Sequence, residues 1–131
     1  MNAYNWIMIS GAFGFTSVAF GAFGAHALKE RLDTYSMGVF QTAVQYHSIH
    51  AVVLLALSIW MACSPLIVVY KSAQFAAACF TMGILVFSGS LYALALSNVK
   101  TLGAITPIGG LLFLLGWFFT IKLAWDLKTA L

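Results

Sequence analysis

The residues able to do chemistry lie mostly in one stretch, Phe40 to Ala51, FQTAVQYHSIHA. It sets Gln41, Gln45, His47 and His50 at the entrance of an apolar run that continues to Ala62. The chain has three histidines, and the third, His26, ends an earlier apolar run. Polar side chains entering a membrane helix are costly unless partnered, so they are where function is sought first. At helical spacing His47 and His50 share a face, with Tyr46 beside them. Gln41 and Gln45 make a second polar row next to it. Three imidazoles converging from two neighbouring spans would suit zinc or copper, and a facing pair would suit haem. Against a metal, histidines three apart are a weak ligand signal, and only Glu30 and Asp33 stand nearby as carboxylates. The plainer alternative has each ring hydrogen-bonded to a carbonyl or hydroxyl between helices. A third reading has the rings carry protons, since histidine changes charge near neutral pH.

The resulting expectation is a non-enzymatic polar pocket of His26, Gln41, Gln45, His47 and His50. It would bind a small ligand, lipid or ion and pass it across the membrane if a path exists. The glutamines would orient the ligand or the rings. A metal or haem protein, with His26, His47 and His50 as ligands, is the first rival. A structural subunit of a membrane complex is the second. Other chemistries lack their residues. No Asp or Glu falls inside a predicted span, which removes the buried carboxylate that a proton-coupled cation exchanger needs. No acid completes a hydrolytic triad at membrane depth, and there is no G-x-S-x-G turn. Cys63 and Cys79 are far apart and form no C-x-x-C pair, so two unpaired thiols are expected.

The elements that carry these residues are set by composition. Of 131 residues, 63% are hydrophobic and 7% charged, where soluble domains carry roughly 25% charged residues. The mean hydropathy is +0.99. Such a surface suits lipid, and the chain reads as an all-α integral membrane protein. The net charge of +3 forms no basic patch, so nucleic acid is not an expected partner. Four apolar runs, residues 6–25, 39–62, 73–97 and 107–125, are each close to the roughly 20 residues that cross a bilayer as a helix. Short polar joints make neighbouring spans antiparallel. The whole chain is then one domain, an up-down-up-down four-helix bundle. Ala25-His26-Ala27 imitates a signal-peptidase site, but Met1–Asn5 has no basic residue and the run is long, so a retained helix is expected.

Small residues mark the packing seams. Ser10, Gly14, Ser17, Gly21 and Gly24 recur at steps of 4, 3, 4 and 3 along the first span. Gly109 and Gly116 do the same in the fourth, with Phe113 between them, and Gly83 lies on a small-residue face of the third. Such stripes let helices approach closely. They serve equally to close the bundle or to meet a second copy or another membrane protein. Ser88, Gly89 and Ser90 form a polar knot in the third span, for which a bond to a carbonyl one turn back is the expected role. Thr106-Pro107 reads as an N-cap and first helical position. Asp33 or Thr34 is expected to cap the second helix, Pro65 to break the chain between spans, and Leu28 and Leu32 to turn to lipid. Trp60, Trp117 and Trp125 suit the headgroup level.

Three motifs carry a resemblance: GAFGAHALK at Gly21–Lys29, FQTAVQYHSIHA at Phe40–Ala51, and FSGSLYALAL with ITPIGG at Phe87–Leu96 and Ile105–Gly110. In order and spacing they resemble the YgdD/YwdK family of small inner-membrane proteins, a domain-of-unknown-function family. The resemblance covers essentially the whole chain. It implies a four-helix protein of the bacterial inner membrane and no particular activity. With four spans both termini share one side. The cytoplasm is the expected side, although Lys71, Lys122 and Lys128 there are balanced by Lys29, Arg31 and Lys100 on the other.

Overall fold

The chain is described in a computed structural model covering residues 1–64 and 70–130. Those residues form helices and turns without a strand. Helix α1 (Ala3–Phe23) continues into a π-helical turn, Gly24–Leu28. Helix α2 spans Thr34–Cys63. The third span is α3 (Lys71–Gly83), a π turn at Ile84–Ser88, and α4 (Gly89–Ser97). A 3₁₀ turn at Lys100–Ala104 leads into α5 (Thr106–Ala130). Four helical stretches are long and apolar enough to cross a membrane: Ala3–Leu28, Thr34–Cys63, Lys71–Ser97 and Lys100–Thr129. This is the all-α, four-span architecture the composition called for, with each helix longer than its apolar run because the caps and first turns are polar.

Local chemistry sets the ends. Asn2 accepts the Asn5 N–H at 2.9 Å to start α1, and Asp33 accepts the Ser36 N–H at 2.7 Å to start α2. Asn98 closes α4 in the left-handed region, φ 58°, with its N–H on the Leu94 carbonyl. Helix α5 begins at Thr106 itself. The Thr106 hydroxyl pairs with Ser90 Oγ at 2.8 Å, so it ties two spans together where a cap was expected. Leu28 is buried against Phe40 and Ala95, with Leu32 packed on the same cluster. Both therefore hold the first joint onto the bundle rather than facing lipid. Pro65 lies outside the described residues, and Cys63 and Cys79 are free thiols.

Helix α1 packs along α2, α2 along the third span, and the third span along α5. The α1 stripe is used unevenly. Gly24 is packed so closely by the Phe40 ring that a Cβ would stand 2.6 Å from it, and Gly21 meets Val44, whereas Gly14 has nothing within 4 Å. Ser10 and Ser17 are buried but spend their hydroxyls on carbonyls of their own helix. The seam between the third and fourth spans is tighter. A Cβ at Gly83 would meet the Phe113 ring at 2.5 Å, one at Gly116 the Phe80 ring at 2.6 Å, and one at Gly109 the Phe87 backbone. Phe80, Gly83 and Phe87 thus oppose Gly116, Phe113 and Gly109, each ring lying over a glycine or beside one. Their order reverses between the two helices, as antiparallel neighbours require. At one end of this seam Ser72 Oγ donates to Asp126 at 2.7 Å, and Lys122 Nζ holds the same carboxylate at 2.8 Å.

Candidate functional site

Helix α2 carries both interior histidines, which are 4% and 5% exposed. Three residues of helix turn the second ring about 60° from the first, and that rotation sends them into different grooves. His47 lies in the groove between α1 and the third span. Its ring meets Phe13 edge-on at 5.6 Å between centroids and also neighbours Phe20 and Tyr92. His50 turns toward α5 and stacks on Phe113 at 3.6 Å and 11°. Phe113 reaches that position because Gly83 makes room for its edge.

With both rings neutral, the hydrogen-bond partners select a tautomer for each. His47 Nδ1 lies 3.2 Å from Tyr92 Oη, and its Nε2 lies 3.4 Å from Thr16 Oγ1. The Thr16 proton is committed to the carbonyls of Ala12 or Phe13 at 2.9 and 3.1 Å. Thr16 Oγ1 therefore accepts from His47 Nε2–H, and Tyr92 donates to Nδ1. A chain of hydrogen bonds crosses α4, α2 and α1, and both His47 nitrogens are engaged. His50 is the reverse case. Its Nδ1 lies 2.8 Å from the Tyr46 carbonyl, an acceptor only, so Nδ1 carries the proton and Nε2 keeps a lone pair. No partner for that nitrogen is found among the described residues. His50 lines a cleft of about 610 Å³ with Tyr46, Phe87, Phe113, Leu114 and Trp117. Trp117 stands 6.4 Å from the His50 ring and walls this cleft.

The other predicted site residues lie elsewhere. His26 is exposed on the π turn that ends the first span. Gln41 and Gln45 are exposed, and they line a smaller groove, about 220 Å³, between α1 and α2 with Gly21 and Val44. The five residues do not form one pocket. Nor do His26, His47 and His50 converge: among the described residues no three His, Cys, Asp or Glu side chains lie together as a ligand set. His47 and His50 do not face each other as an opposed pair, because they sit three apart on one helix and turn into different grooves. Pattern reasoning passed over Thr16, Tyr92 and Phe113. Of these, Tyr92 carried a legible signal, as a phenol inside an apolar run.

Comparison with known proteins agrees with the architecture. Residues 20–110 match the family model described as protein of unknown function (DUF423). The chain is 41% identical over 115 residues to the UPF0382 inner membrane protein YgdD of Escherichia coli K12, covering 88% of this chain and 85% of that one. It is 41% identical over 105 residues to the UPF0382 membrane protein SH2409 of Staphylococcus haemolyticus, covering 80% and 82%. The UPF0382 membrane protein SAB0533 of Staphylococcus aureus is 37% identical over the same number of residues, 105. No solved structure matches. The family-model match over residues 20–110 and the relatives, 37–41% identical over most of their length, place this four-span chain in the DUF423 family of membrane proteins.

Proposed function

We propose that this protein is a non-enzymatic membrane protein that takes a small lipophilic molecule from the bilayer into the cleft at His50. One observation carries the reading. The His50 ring is held by stacking on Phe113 and by its Nδ1 bond to Tyr46, so its Nε2 lone pair is held in place without a partner among the described residues. That nitrogen opens onto the cleft as a pre-positioned acceptor, to which a ligand hydroxyl can donate. The walls are otherwise aromatic and aliphatic, which is the usual build of a small-molecule site: apolar lining with a few fixed polar groups. The ligand is then an amphiphile with one hydrogen-bond donor, such as a lipid hydroxyl. His26, Gln41 and Gln45 have no part in this cleft. The relatives' naming supports the inner membrane as its location, and cytoplasmic termini are part of the proposal.

The test is native mass spectrometry of protein extracted gently from its own membrane. A bound small molecule is expected on the wild type and on Gln41→Ala, and is lost from His50→Phe, which keeps the stack and drops the acceptor. An identical bound species on His50→Phe, or none on the wild type, would defeat the reading.

A further inference from the structure

The His47 groove holds a second polar feature, separate from the His50 cleft. Ser88 is 1% exposed, and its Oγ has no hydrogen-bond partner among the described residues. The other helical serines of this span do not share that state: Ser90 bonds the Phe87 carbonyl at 2.9 Å and Ser97 the Ala93 carbonyl at 2.6 Å. Ser88 ends the π turn Ile84–Ser88, where the altered winding moves side chains off the ordinary helical positions. Such turns inside α-helices recur at functional sites. Ser88 lines a cavity of about 200 Å³ together with Thr16, His47, Tyr92 and the rings of Phe13 and Phe20. Tyr92 spends its proton on His47, which leaves the phenolic oxygen as an acceptor on the same cavity. Ser88 brings both a donor and an acceptor. The polar groups here are neutral hydroxyls and one imidazole, with no charged side chain among the lining residues.

We propose that this cavity is a hydrated site within the membrane-spanning bundle, binding water between Ser88 Oγ and Tyr92 Oη. The volume admits several water molecules, and buried water typically makes two to four hydrogen bonds to groups of this kind. A neutral ligand with both donor and acceptor character is what the lining demands. A bound ion would have to give up its hydration with no charged partner to compensate. The bound water extends the Thr16–His47–Tyr92 chain to Ser88, so that one continuous hydrogen-bonded seam joins α1, α2 and the third span.

Radiolytic hydroxyl-radical labelling of the full chain in lipid nanodiscs, read by mass spectrometry, tests this, because radicals form from water at the site. Phe13 and Tyr92 are expected to label at least about five-fold faster than Phe15, a neighbour on α1 that is 77% exposed and faces lipid. Ser88→Val should bring the labelling of Phe13 and Tyr92 down to the Phe15 level, and Ser88→Thr should restore it. Should Ser88→Val fold poorly, wild type alone decides, through the ratio of Phe13 to Phe15. Equal labelling of those two rings in the wild type, or labelling of Tyr92 that is unchanged in a folded Ser88→Val, would overturn the proposal.

Discussion

His47 and His50 are three residues apart on one helix, yet the hydrogen bonds leave them as opposite tautomers. His47 carries its proton on Nε2, donated to Thr16, and receives one from Tyr92. His50 carries its proton on Nδ1, donated to the Tyr46 carbonyl. The imidazole nitrogen shifts of ¹⁵N-histidine protein carrying His26→Gln, which removes the third histidine, should therefore show two distinct neutral rings, one of each tautomer. Replacing Tyr92 with Phe should perturb the first and leave the second in place. The same change removes one interhelical bond, worth about 0.6–2 kcal/mol in membrane proteins, and should lower the thermal midpoint in detergent by a few degrees. Two protonated-Nε2 rings would show that His50 is bonded differently. Sequence reasoning placed both rings at the interior, and they are there. It joined them with His26, Gln41 and Gln45 because helical spacing tells which residues share a face. Spacing does not tell which faces the neighbouring helices cover, and those three residues lie on uncovered ones.

At the scale of the helix pair, the seam between the third and fourth spans is specified by size. Three phenylalanines and three glycines interlock, with Gly83, Gly109 and Gly116 each taking a contact that a methyl group would block. Overpacking of this kind costs typically 1–3 kcal/mol. Gly116→Ala should destabilise the protein in a detergent melt by about that much, and adding Phe80→Leu should recover part of the loss, because the ring edge is the obstacle. Gly109→Ala should be harder to rescue, since its obstacle is the Phe87 backbone. Gly14→Ala, with nothing within 4 Å, should be close to neutral. Equal costs at Gly14 and Gly109 would contradict this seam. The stripes of small residues are plain in the sequence, but their use is not. A stripe shows where a partner can approach, whereas the partner's side chain decides where it does. The π turns at Gly24–Leu28 and Ile84–Ser88 have no counterpart in the apolar pattern, because one extra residue per turn leaves a mostly apolar stretch mostly apolar.

For the molecule as a whole, the four spans and the antiparallel α3–α5 seam put the start of the third span beside the end of the fourth. The Ser72–Asp126–Lys122 cluster ties those two ends together. That arrangement predicts that the N- and C-termini lie on the same side of the membrane. A fluorescent reporter that matures only in the cytoplasm should give the same answer at both ends, and the opposite answer when inserted in the joint near Lys29–Asp33. Different answers at the two ends would remove one span from the architecture. Orientation itself is finely balanced, because three basic residues stand on each side: Lys71, Lys122 and Lys128 against Lys29, Arg31 and Lys100. The side richer in Lys and Arg tends to stay in the cytoplasm, so small changes should tip this chain. Changing Lys29 and Arg31 to Gln leaves a bias of three to one toward cytoplasmic termini and should sharpen the reporter signal there. Adding two lysines to the same joint reverses the bias and should move a measurable fraction of molecules to the opposite orientation. If neither change shifts the reporter ratio, orientation is set by the helices and their packing, and the basic residues serve only as interfacial anchors.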